Sequence, residues 1–220
     1  MGPYSHIILA SELEKYIKPD NTREFYWGTI APDTRYLMKG MSRDQTHISP
    51  DEILDYLHRH PQLKSFLQGY LVHCLADQLE MPELMQRKFP LSWQKDKLSS
   101  WQCTVILELF NVLRTRPPEK IISEKFNVVL EDIGISEEQA IKFAKEMNQY
   151  LTSPSVISLF SMYQRIGLAN NGRIEKYHIT FQRFQKNWLR KNMILLGLHV
   201  RKINNEIASL VKSNLPKEVF

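Results

Sequence analysis

Apolar residues recur at helical spacing along nearly every long segment of this chain, and prolines stand at the segment ends. Proline has no amide hydrogen and disfavours helix in the residue before it, so this punctuation cuts the sequence into separate helices. The segment "SHIILASELEKYIK" is amphipathic and stops at Lys18, before Pro19. In "SPDEILDYLHRH", Ser49 is the N-cap, Pro50 stands in the first turn and Glu52 completes a capping box, with the end near Pro61. A long, mostly buried helix, "QLKSFLQGYLVHCLADQLEM", then runs to Pro82, and its Gly69 marks close packing. "LSSWQCTVILELFNVLRTR" is closed by Pro117 and Pro118. A second capping-box pattern, Ser136 with Gln139, opens "SEEQAIKFAKEMNQYLT"; Ser153 with Pro154 starts the next helix, and residues 175–215 form one long helix or two. The reading is all-α: a single-domain, multi-helix bundle over residues 1–220, without internal repeat or low-complexity tract. Only the stretch from Asn21 to Ser49, after the first helix, lacks steady period and is rich in loop formers.

Several classes are excluded by composition. With 43% hydrophobic residues in 220, the chain has enough apolar side chain for a sizeable core. Cys74 and Cys103 form no close-spaced pair, which argues against a disulfide framework and against a thiolate zinc site. The start, "MGPYSHIILASELEKYIK", has no basic region before its short apolar run and reads as no signal peptide. No stretch approaches the roughly 20 apolar residues of a membrane span. A soluble, cytoplasmic protein is expected. Charge is uneven: residues 1–116 hold 14 Lys+Arg and 14 Asp+Glu, whereas residues 117–220 hold 15 and 10. The neutral first half is expected to hold the polar chemistry and the second to form a basic helical half.

The chemistry is suggested by "YLVHCLADQLE", where His73 and Asp77 stand four apart on an apolar helix and so share a face. The preceding loop adds Asp33 in "GTIAPDTR" and His47 in "SRDQTHIS", and the first helix adds His6. These five are ligand types that zinc and similar divalent ions take. A metal site is the leading reading; the competing one is a buried His73–Asp77 pair that satisfies itself. Cys74 points about 100° away around the helix and belongs to the core. His58 and His60 flank a helix end and read as solvated. Glu175 and His178 match E-x-x-H once, where metal bundles need two copies.

In their order, His6, "GTIAPD" ending at Asp33, "TH" ending at His47 and "GYLVHCLAD" with His73 and Asp77 resemble the zinc-dependent phospholipase C family, an all-helical fold shared with single-strand-specific zinc nucleases. The likeness covers about residues 4–80. It implies one metal held by Asp33, His47, His73 and Asp77, with His6 and Asp77 sharing a neighbouring ion. The secreted enzymes of that family also use a free amino terminus there, and here five residues precede His6. They place a histidine six residues after the helix aspartate, where this chain has Glu83, and add an H-x-x-x-E pair that this chain lacks. One or two ions, most plausibly zinc, are therefore expected rather than three. The implied activity is hydrolysis of a phosphoester, phospholipid-type or nucleotide-type, with Asp33 as the catalytic residue that orients or deprotonates the attacking water. Arg35 or Arg43 would neutralise phosphate charge.

A competing function comes from residues 173–202, which carry eight Lys+Arg and one acid, Glu175, interleaved with Tyr177, Phe181, Phe184 and Trp188. Such a segment meets an anionic membrane surface or nucleic acid, or is simply a solvated face. The alternative to an enzyme is thus a helical binding or scaffold protein that keeps the family fold with a structural or lost metal site.

Overall fold

Gly2 and Pro3 begin the first helix, α1 (Pro3–Ile17), and Lys18 ends it just before Pro19 in the left-handed conformation at φ 50°, donating its N–H to Glu14 O. The computed structural model describes residues 1–88, 100–114, 122–169, 172, 174–176, 179, 182 and 190–219. Every regular element among them is helical. Further α-helices bounded by described residues are α2 (Thr22–Ile30), α3 (Arg43–Thr46), α4 (Pro50–Arg59), α5 (Lys64–Asp77), α6 (Met81–Lys88), α7 (Ser100–Arg114), α8 (Val128–Asp132), α9 (Glu137–Thr152), α10 (Val156–Arg165) and α11 (Arg190–Ser213). Buried apolar residues from Tyr4 to Val219 form one core that runs through both charge halves, and α11 packs on α1, α5, α6 and α7. None of the described helices is long and apolar enough to cross a membrane.

The capping boxes at Ser49/Glu52 and Ser136/Gln139 form as expected. Three boundaries differ. The stretch from Asn21 to Ser49 opens with α2, whose N-cap Asn21 accepts from the amides of Arg23 and Glu24; the ligand-bearing remainder is a 3-10 turn over Ala31–Leu37 and the short α3. The long helix expected to reach Pro82 ends at Asp77, and Pro82 instead lies in the first turn of α6, where its missing N–H is no loss. The helix expected from Ser153 and Pro154 is capped by Ser155, whose hydroxyl accepts from Ser158 N.

One contact governs where the candidate ligand residues stand. α2 and α5 touch backbone to backbone through Gly28 and Gly69: a Cβ on Gly28 would lie 1.9 Å from Phe66 O, and one on Gly69 would lie 2.0 Å from Phe25 O. Only residues without a side chain allow that approach. The close packing read from Gly69 is therefore present, and its partner Gly28 is on a helix the sequence pattern did not reveal.

Candidate metal centre

Asp77 is the last residue of α5 and the hub of a cluster built from four elements. Its Oδ1 accepts from the Met1 amino group and lies 3.2 Å from His6 Nε2 of α1. Its Oδ2 lies 3.1 Å from His47 Nε2, at the C-cap of α3, and 3.5 Å from the guanidinium of Arg43. Although five residues precede His6, the first turn of α1 folds them back, so the Met1 amino group reaches the same carboxylate as His6.

His73 is completely buried and makes no self-contained pair with Asp77, its Nε2 lying 3.8 Å from Asp77 Oδ2. Its Nδ1 instead donates to Thr29 O at 2.8 Å, and its Nε2 faces His47 Nε2 at 3.0 Å. His47 is held in the same way, with Nδ1 3.1 Å from Arg43 O. A carbonyl can only accept, so both Nδ1 atoms carry the proton, and in the neutral rings both Nε2 atoms present bare lone pairs to one another. Imidazoles fixed from behind by backbone carbonyls, with the other nitrogen bare, are how metal-bound histidines are oriented.

Asp33 lies in the 3-10 turn after α2, fully buried, and neither carboxylate oxygen has a hydrogen-bond partner. His6 is equally buried, and neither ring nitrogen makes a well-aligned hydrogen bond. Ligand atoms of His6, Asp33 and His73 fall within 4.8 Å of one another, as do those of His47, His73 and Asp77. All five residues expected at a metal are thus brought together, in two overlapping groups that share His73. Buried polar groups without partners are rare, and here they converge on one point with a donor set suited to a divalent cation.

The electrostatics follow from burial and from these neighbours. Desolvation, with the Met1 ammonium second, lowers the His6 pKa to about 4. Burial and the adjacent His6 hold His73 well below the ordinary histidine range. Burial, reinforced by Asp77, pushes Asp33 up to about 7. Burial would raise Asp77 too, but the Met1 ammonium and the neighbouring imidazoles of His47 and His6 together hold it well below the usual carboxylate range.

Of the two arginines, Arg43 donates to Asp77 O at 2.5 Å with 46% of its side chain exposed, whereas Arg35 stacks on Tyr36 and donates to its hydroxyl. Cys74 is core, and His58 is exposed. His178 and Trp188 lie outside the described residues, as do Arg173, Tyr177, Phe181, Arg183, Phe184 and Lys186 of the basic segment. Two contributors escaped sequence reasoning. The Thr29 carbonyl is backbone and leaves no sequence signal. Glu108, completely buried in the apolar run "VILELF", was visible as a lone acid on an apolar helix. No protein-family model, curated protein or solved structure matches this chain.

Proposed function

We propose that this chain is a metal-dependent hydrolase of a phosphoester, using one or two divalent ions, most plausibly zinc, in an arrangement like that of the zinc-dependent phospholipase C family. The observation that carries the reading is the 3.0 Å approach of His47 Nε2 to His73 Nε2 beside Asp77, with unpartnered Asp33 close by. Two bare lone pairs and two carboxylates gathered in a buried site are stabilised by a cation between them. A divalent ion held there supplies polarisation of a phosphoryl oxygen and a lowered pKa for water. The chain's own contribution is to hold Asp33 against that water as the group that orients or deprotonates it, and to exclude bulk solvent around His6 and His73. Arg43, half exposed beside Asp77, neutralises phosphate charge. Substrates of the phospholipid or nucleotide type both suit this chemistry, with residues 173–202 as the anionic-surface or nucleic-acid contact, in the cytoplasm.

A second reading is a helical binding or scaffold protein whose His47 is an imidazolium donating to His73. It is favoured by the two cations already paired with Asp77, Arg43 and the Met1 amino group. Metal content separates the two. Untagged protein purified without added metal should contain one or two equivalents of zinc by mass spectrometry and hydrolyse an artificial phosphodiester or phosphomonoester. Metal-free protein that takes up no zinc at micromolar concentration would leave the scaffold reading.

A further inference from the structure

Among the ligand residues, His6 differs from the other histidines in how it is held. His73 leans on Thr29 O and His47 on Arg43 O, but both ring nitrogens of His6 lack a well-aligned partner. A metal-binding imidazole is ordinarily oriented through its second nitrogen. For His6 that task falls to the stack on His73 and to the backbone that carries it.

That backbone is clamped from outside α1. The N-cap Gly2 offers no side chain, so the first-turn amides of α1 depend on a partner from elsewhere. Glu108, from the middle of α7, is that partner. Its Oε1 accepts from Tyr4 N at 2.7 Å and from the Tyr163 hydroxyl at 2.8 Å, and its Oε2 accepts from Ser5 N at 2.8 Å and from the Ser5 hydroxyl. Four donors use the lone-pair capacity of a carboxylate, so Glu108 is not itself a spare ligand. The chain continues outward: Asn111 donates to Ser5 Oγ at 3.0 Å, and Asn204 of α11 donates to Asn111 at 2.7 Å. A carboxylate at a helix N-terminus is also favoured by the helix dipole. The fit leaves no slack, since a Cβ on Gly2 would lie 2.7 Å from Glu108 Cδ and 2.7 Å from the Tyr163 hydroxyl.

We propose that Glu108 is a positioning residue for the metal centre: by gripping Tyr4 N and Ser5 N, it fixes the orientation of the adjacent His6 toward Asp77. The inference rests on the metal-centre reading and deepens it, because it couples α7, α10 and α11 to a ligand that has no hydrogen-bonded support of its own. Glu108→Gln keeps the volume but turns an amide N–H toward one pair of donors. Removing such an outer support typically weakens metal binding by about 10–100-fold.

The test is a double-mutant cycle on zinc affinity, measured on metal-free protein by competition with a chromophoric chelator, with folding checked by circular dichroism. Glu108→Gln is expected to weaken zinc at least tenfold in the parent and to have almost no further effect in a His6→Ala background. An equal loss in both backgrounds means that Glu108 acts on general stability and overturns the proposal. Normal zinc affinity in Glu108→Gln, with weakened affinity in His6→Ala, overturns the proposal and leaves the metal centre standing. Unchanged affinity in His6→Ala overturns the proposal and removes His6 from the ligands, whereas a parent that takes up no zinc overturns the metal-centre reading as well. If Glu108→Gln does not fold, the pair Ser5→Ala with Tyr163→Phe, which removes two hydroxyl donors and leaves the carboxylate, takes its place in the cycle with an expected loss of about threefold or more.

Discussion

The rings of His6 and His73 stack 3.9 Å apart, centroid to centroid, with their planes 21° from parallel. Two imidazoles in that position cannot both be charged cheaply, and burial already lowers both pKa values. In the unfolded chain a histidine takes its proton near 6.5, whereas folded His6 takes it only at about 4, so its stabilising contribution is present at neutral pH and is lost as pH falls through that window. His73 acts in the same direction. Asp33 works in the opposite sense: its folded carboxyl is protonated below about 7, earlier than in the unfolded chain, so acidification relieves its cost. His6 and His73 act against Asp33 and against Glu108, whose carboxyl pKa burial also raises, and metal-free protein is expected to lose on the order of 1 kcal/mol between pH 7 and pH 4. Denaturant midpoints in the presence of chelator measure this, and a flat profile would contradict the buried neutral stack.

Asp33 alone offers a substitution that stabilises while disabling. Asp33→Asn removes a buried carboxylate without partners, so the metal-free variant should exceed the parent at pH 7.5 by on the order of 1–2 kcal/mol, since the amide also lacks ideal partners. At pH 4 the parental carboxyl is protonated and the advantage should vanish. With zinc restored, phosphoester turnover should fall at least a hundredfold. An advantage of equal size at both pH values would mean that Asp33 is not charged in the folded chain at neutral pH.

His73→Ala and Asp77→Ala are expected to lose stoichiometric zinc, whereas exposed His58→Ala retains it. The readout is bound metal after gel filtration. Retention of a full equivalent by either of the first two variants would falsify the assignment of that residue as a ligand.

At the helix contact, Gly69→Ala would place a methyl 2.0 Å from Phe25 O and 2.8 Å from Thr29 N. The helices must part, at a cost of about 3 kcal/mol or more, because backbone cannot rotate out of the way as a side chain can. Thr29 also supplies the carbonyl behind His73, so zinc affinity should fall together with the melting temperature. A variant with lower stability and parental zinc affinity would show that α2 does not set the His73 ring.

What could be read from the sequence was what short-range chemistry decides. The boxes at Ser49/Glu52 and Ser136/Gln139 form because their partners lie three residues apart. His6, Asp33, His47, His73 and Asp77 were identifiable because few residue types bind metals and these stood in an interpretable order. Their convergence depends on relations without local signature. α2 was hidden because Gly28 and Thr29 suit it for contact with α5 rather than for helical period. Pro82 was read as a stop because a proline ends one helix and opens another with equal ease. Glu108 gains its meaning only when the start of α1 is laid across α7.

The glycine contact between α2 and α5 also bears on how distant relatives of this chain are to be recognised. Apolar core positions tolerate exchange when total volume is kept, so a lineage can rewrite most of the helical pattern without moving the candidate ligands. Gly28 and Gly69 have no such freedom, because any side chain at either position forces two backbones apart. A search profile that requires a small residue five positions before the APD aspartate and another four before the helix histidine, together with the ligands, therefore encodes the spacing of the centre, whereas overall identity records mainly the replaceable filling around it.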